Sequence, residues 1–170
     1  MSLEIHPAPT LAYLLLGSNL GDRAALLATA RRELAATAGE IVAGSGLYET
    51  AAWGREDQPA FLNQALAVRT ALPPEALLAA CLAAEQRAGR QRLEHWGSRT
   101  LDVDILLFGA EIIDTSTLTV PHPRLPERRF ALVPLAEIAG GLVHPQLHES
   151  IEVLLLHCPD LLPVQPWAGE

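Results

Sequence analysis

The chain has 170 residues, of which 49% are hydrophobic and 19% charged, with mean hydropathy +0.20. These values predict one self-sufficient domain over residues 1–170 and exclude disordered, collagen-like and acidic low-complexity classes. A net charge of −8 with a pI of about 5.2 argues against nucleic-acid binding, which rests on neutralising many phosphates. All 12 basic residues are arginine, which removes Schiff-base lysines, phosphate-loop lysines and lysine general bases.

In chain order, residues 11–17 (LAYLLLG) predict a buried strand ending at a glycine turn. After SNLGD comes the helical run RAALLATARRELAATAG, with Asp22 as N-cap and Gly39 as C-terminal stop. EIVAGSGLYET and FLNQALAVRT, separated by AAWGREDQPA, alternate as strands do. PPEALLAACLAAEQRAG predicts a second helix, entered at Pro73 and Pro74 and left at Gly89. TLDVDILLF then reads as a strand with alternating faces. Beyond residue 109, segments 111–113 and 118–120 predict a hairpin and 127–139 and 149–158 predict apolar helical pieces, while the tail PDLLPVQPWAGE carries no element. The order strand, helix, strand, strand, helix, strand predicts an α+β fold. Its core is a ferredoxin-like βαββαβ arrangement with helices covering one face of an antiparallel sheet, followed by the C-terminal hairpin and helices.

Cys81 and Cys158 form no C-x-x-C pair and read as core thiols in a reducing cytoplasm. No basic leader opens the sequence, and no apolar run approaches the roughly 18 to 20 residues of a membrane span, so a cytoplasmic protein with no membrane role is expected.

Asp102 and Asp104 stand two apart in the predicted strand, so both carboxylates leave the same face while Leu101, Val103 and Ile105 take the other. At a separation of roughly 7 Å their repulsion is about 2 kcal/mol for an effective dielectric of about 20. A hard divalent cation would remove it, and magnesium favours one or two carboxylates with phosphates and water. Two solvated acids paired with arginines is the other reading of D-x-D. Arg87, Arg90, Arg92, Arg99, Arg124, Arg128 and Arg129 gather around the pair in sequence, with His122. Arginine forks recognise phosphate oxygens, so this stretch suggests magnesium and a polyphosphate; an ordinary solvated face is the plainer alternative. Trp96 in the loop GRQRLEHWGSR is a hinge anchor, a lid residue or simple packing. Upstream lie Thr50, Trp53, Phe61 and Asn63; Phe61 and Asn63 share a strand face, where a ring beside an amide suits a flat heterocycle and equally suits core packing.

GSNLGD (17–22), DQPAFLN (57–63), RTLDVDILLFG (99–109), LTVPHPRL (118–125) and ERRFALVPLAEI (127–138) together resemble the 6-hydroxymethyl-7,8-dihydropterin pyrophosphokinase family of folate biosynthesis, collinearly over about residues 11–158. The resemblance implies pyrophosphoryl transfer from ATP to the pterin hydroxymethyl group, with two Mg²⁺ ions held by Asp102 and Asp104 and ATP as co-substrate. It places ATP on Glu85, Arg90, Arg92, Trp96, Arg99, Ile105, Thr119, His122 and Arg128, with Arg90 and Arg99 catalytic beside the two aspartates. The pterin would lie between Phe61 and Phe130, edged by Thr50 and Asn63 and by the backbone at Ala51 and Trp53. Segment 89–98 would close over the nucleotide, and a monomer is expected. The chain departs from the family pattern in a shorter loop without lysine and in Pro123 after His122, where some members carry tyrosine. The competing readings are a non-catalytic ferredoxin-like binding module and another magnesium-dependent nucleotide enzyme.

Overall fold

The computed structural model describes residues 8–51, 57–88 and 100–169. Strand β1 (Thr10–Ser18) is followed by helix α1 (Arg23–Thr37), strands β2 (Glu40–Gly44), β3 (Tyr48–Thr50) and β4 (Phe61–Thr70), and helix α2 (Pro74–Arg87). Then come β5 (Asp102–Phe108), the pair β6 (Ile113–Asp114) and β7 (Thr119–Val120), helices α3 (Arg129–Ala139) and α4 (Ile151–Leu156), and β8 (Val164–Pro166).

Three of the predicted helix ends match the local chemistry, while Gly89 lies outside the described residues. The Asp22 carboxylate accepts from the Ala25 amide at 3.1 Å, satisfying one orphan donor of α1. At the other end Gly39 takes φ +151°, and a Cβ there would stand 2.2 Å from the Arg69 carbonyl oxygen, so only glycine lets this turn lie on β4. Pro73 caps α2 and Pro74 opens it, where no N–H is required.

The main sheet runs β5-β1-β4-β3-β8, with β2 also on β4, and every named pairing in it is antiparallel. The segment expected as one strand over 40–50 is two. Ser45 interrupts it: its backbone N–H donates to the Ala65 carbonyl, its hydroxyl accepts from the Ala65 N–H at 2.9 Å, and its carbonyl accepts from the Gln64 amide at 2.8 Å. The break therefore keeps its polar groups paired while β2 and β3 take different halves of β4. The tail, read as having no element, supplies β8 at the sheet edge.

Two apolar layers sandwich the sheet. On one face Leu14, Leu16, Leu66 and Val103 pack with Leu27 and Leu34 of α1 and Leu77 and Cys81 of α2. On the other, Tyr13, Leu15 and Ala67 pack with Leu132 and Leu135 of α3 and Ile151 and Leu154 of α4. Helices thus cover both faces, where the sequence predicted one: α1 and α2 are crossovers, whereas α3 and α4 return over the opposite side. Both cysteines are buried and free, and burial pushes the Cys81 thiol up to about 12. Among the described residues no helix is long and apolar enough to cross a membrane.

Candidate active site

Antiparallel partners directly opposite each other project to the same side of a sheet. Gly17 of β1 stands opposite Asn63 of β4 on one side and Asp102 of β5 on the other, and Tyr48 of β3 extends the row beyond Asn63. Thr50 opposite Phe61 and Leu15 opposite Asp104 share that side. This is the α3 face, whose apolar middle is roofed by the helix and whose end bears amide, hydroxyl, aromatic ring and carboxylates.

The amide end is tightly ordered. Asn63 is 3% exposed and Thr50 4%, and the Asn63 Nδ2 donates to Thr50 Oγ1 at 3.3 Å. Phe61 is half-buried beside them. A Cβ on Gly17 would lie 2.7 Å from Asn63 Oδ1, so the carboxamide occupies the space that the glycine leaves. The chain entering Phe61 is held by two carbonyl acceptors: Asn19 Nδ2 donates to Pro59 at 3.1 Å and Arg23 Nη1 to Ala60 at 3.0 Å. Half-buried Phe130, in the first turn of α3, lies 5.6 Å from the Arg128 guanidinium, a cation placed against a ring.

At the carboxylate end Asp102 and Asp104 are half-buried while Val103 and Ile105 point into the opposite core. The alternation expected from TLDVDILLF holds from Asp102 to Ile105 and is then broken by a register shift against β1, which puts Leu106 and Leu107 in the same α3-side layer. The Glu85 carboxylate, 4% exposed at the last turn of α2, accepts from the Val103 N–H at 2.9 Å on the outer edge of β5. This bond fixes the backbone between the two aspartates. Glu85→Ala is expected to destabilise the fold by about 1–3 kcal/mol through a buried, unpaired Val103 amide, with Glu85→Gln recovering most of it. Urea midpoints measure this; an alanine variant as stable as the parent would refute it.

Cations meet the acids from the segment after β7. Burial lowers the Arg128 pKa, and the charges of Asp104 and Asp102 work the other way, so the guanidinium stands within the field of both carboxylates. His122 is pinned by its N–H to the Leu106 carbonyl at 2.9 Å, and its Nδ1 accepts from the Arg124 N–H at 3.2 Å. Burial, with Arg128 and Arg124 nearby, pushes its pKa down to about 4, although Asp102 opposes the shift. Near neutral pH the ring is uncharged, and with Nδ1 accepting, its proton sits on Nε2 as a donor.

The family model for 7,8-dihydro-6-hydroxymethylpterin-pyrophosphokinase matches residues 13–140. The chain belongs to this family. It is 50% identical over 135 residues to the 2-amino-4-hydroxy-6-hydroxymethyldihydropteridine pyrophosphokinase of Methylorubrum extorquens, covering 79% of this chain and 85% of that one. To the enzyme of the same name from Bacillus subtilis it is 49% identical over 132 residues, covering 75% and 77%. A crystal structure of HPPK-DHPS in complex with substrates matches with a TM-score of 0.69 at 16% identity, over 88% of this chain and 43% of that longer one. That likeness is one of fold.

Of the residues that the pyrophosphokinase resemblance singles out, the fold brings Asp102, Asp104, His122 and Arg128 together at one end and Thr50, Asn63 and Phe61 at the other, with Phe130 beside Arg128. Ala51 is exposed just past Thr50, and Thr119 is exposed on β7. The Ile105 side chain lies in the core of the opposite face, so only its backbone is available on the site side. Glu85 is committed to the Val103 amide. Trp53, Arg90, Arg92, Trp96 and Arg99, with segment 89–98, lie outside the described residues. Sequence reasoning took Gly17 only for a turn residue and missed that it separates the two halves of the site; the small residues of GSNLGD after an apolar strand are the signal that could have found it. It also passed over Glu137 of α3, whose Oε2 accepts from Tyr48 Oη at 2.9 Å and from the Gly46 N–H at 3.0 Å, tying the helix to the sheet beneath it.

Among the described residues no group of three or more His, Cys, Asp or Glu could hold a metal ion. The carboxylate end instead offers two half-buried acids on one strand face. That donor set fits magnesium, which is held by one or two carboxylates and completes its shell with water and phosphate oxygens.

Proposed function

We propose that this chain transfers the β,γ-pyrophosphoryl group of ATP to the hydroxymethyl oxygen of 6-hydroxymethyl-7,8-dihydropterin, giving AMP and the pterin pyrophosphate in folate biosynthesis. The row Asn63, Gly17, Asp102 carries the reading at the level of residues. A heterocycle bound at Asn63 and a polyphosphate bound at Asp102 meet across one strand whose facing residue has no side chain. Positioning of this kind turns a bimolecular encounter into a reaction within one complex.

Thr50 and Asn63 hydrogen-bond the pterin edge, and Phe61 and Phe130 supply the apolar faces for its ring. Arg128 and the neutral His122, donating from Nε2, bind triphosphate oxygens. Asp102 and Asp104 would hold two magnesium ions, whose chemistry is neutralisation of charge on the polyphosphate and on the departing AMP. The hydroxymethyl oxygen forms a bond to the β-phosphorus while the bond from that phosphorus to the α,β-bridging oxygen breaks; the electron pair leaves with AMP and the hydroxyl proton passes to solvent. The buried Cys81, held protonated, is no nucleophile, which supports direct transfer. Arg90, Arg92, Arg99 and Trp96 join this set by family resemblance. The strand order, with α1 and α2 crossing on one face, supports a ferredoxin-like assignment for the core. A non-catalytic binding module would have no use for paired acids set against Arg128.

A dihydropterin fluorescence titration with magnesium and a non-hydrolysable ATP analogue tests the reading. Saturable pterin binding is expected, and its absence would overturn the assignment. Gly17→Ala is expected to weaken pterin binding about tenfold, the effect of losing roughly one hydrogen bond, because the new methyl displaces the Asn63 carboxamide. An unchanged pterin Kd would contradict that placement of Asn63.

A further inference from the structure

The family model ends at residue 140, and the outermost strand of the sheet lies beyond it. β8 pairs with β3 at Thr50↔Val164, Glu49↔Gln165 and Tyr48↔Pro166, and the Trp167 N–H donates to the Leu47 carbonyl at 2.9 Å. The Trp167 ring packs against the core beneath α1 and α2. β3 has only three residues, so its position depends on neighbours on both edges, β4 on one and β8 on the other. Pro166, which has no N–H to offer, suits an outermost strand.

The same tail reaches α3. Arg128, the N-cap of that helix, makes no side-chain cap bond. Asp160, 31 residues beyond Arg129, supplies the acceptor instead: its Oδ2 takes the Arg129 N–H at 3.2 Å, while Oδ1 takes the Leu162 N–H at 3.0 Å and turns the chain toward β8. Arg129 lies between Arg128 and Phe130. One short segment thus holds β3, whose Thr50 bonds Asn63, and the helix start from which Phe130 projects.

We infer that residues 160–167 form a strap that sets the two walls of the pterin pocket, with Asp160 as a positioning residue. The inference rests on the pyrophosphokinase reading. Walls ordered in advance spare the ligand the entropy of ordering them, so loss of the strap acts on pterin binding and leaves ATP binding and the chemical step largely alone.

The test compares the full chain with one ending at Leu162 and with Asp160→Ala, measuring KM for each substrate and kcat. Truncation is expected to raise the pterin KM about tenfold while the ATP KM and kcat stay within about twofold. Asp160→Ala is expected to raise the pterin KM roughly threefold or more, and Asp160→Asn, which keeps one oxygen acceptor, less. Unchanged pterin KM values, or equal rises for both substrates, would overturn the strap. Should the truncated chain fail to fold, the Asp160 series decides by the same criterion. A full-length chain that forms no AMP from the two substrates would overturn the underlying reading, and the strap with it, before any variant is compared.

Discussion

Asp102→Ala and Asp104→Ala are each expected to lower turnover at saturating substrates by roughly 10³-fold or more, equivalent to about 4 kcal/mol of transition-state stabilisation. Both carboxylates leave the site face of β5, and Val103 and Ile105 anchor the strand from below, so removing either acid takes nothing from the core. The variants should unfold at urea concentrations close to the parent. The reason for the size of the effect lies in the charge balance. Half-buried Arg128 stands in the field of the two acids, and the proposed ATP would bring several negative charges to the same place. Without a carboxylate to hold magnesium there, Arg128 and an uncharged His122 remain as the described partners of the triphosphate. Steady-state rates with magnesium in excess measure the loss. A folded variant within a few-fold of the parent rate would remove Asp102 or Asp104 from the site.

Phe130→Ala is expected to weaken pterin binding by about 1–3 kcal/mol, the sum of lost ring burial and stacking. The ring lies half-buried in the first turn of α3 and packs on the apolar layer around Leu132 and Leu135. Arg128 lies 5.6 Å from that ring, so truncation also frees the guanidinium somewhat, and an ATP effect below about 1 kcal/mol is expected from the lost cation–ring contact. Pterin and nucleotide titrations on one preparation separate the two. Equal losses for both ligands would contradict the placement of this ring on the pterin.

Much of the carboxylate half of the site was legible in the sequence because alternation over DVDI decides which side each residue takes; the register shift at Leu106, which puts Leu106 and Leu107 in the same layer, was not. The pairing of Phe61 with Asn63 was legible for the same reason. That Thr50 joins them depends on the register of β3 against β4, which turns on the break at Ser45, and that break is made by bonds to Gln64 and Ala65 some twenty residues away. The apolar character of 127–139 announced a helix without saying which side of the sheet it would cover; a helix that follows the sixth core element can return over either face. β8 was invisible because VQP has no alternation and includes a proline, and its strand character comes from the open edge of β3. Gly17 was visible as a glycine, and its meaning appeared only when β4 and β5 were placed on either side of it.

The measurement that bears most directly on the central claim is nucleotide product analysis with ATP, magnesium and 6-hydroxymethyl-7,8-dihydropterin, alongside a reaction lacking pterin and one using Asp102→Ala. AMP is expected only when pterin is present, together with an equimolar pterin pyrophosphate, and none of either from the variant. ADP as the product, or AMP formed at the same rate without pterin, would contradict it.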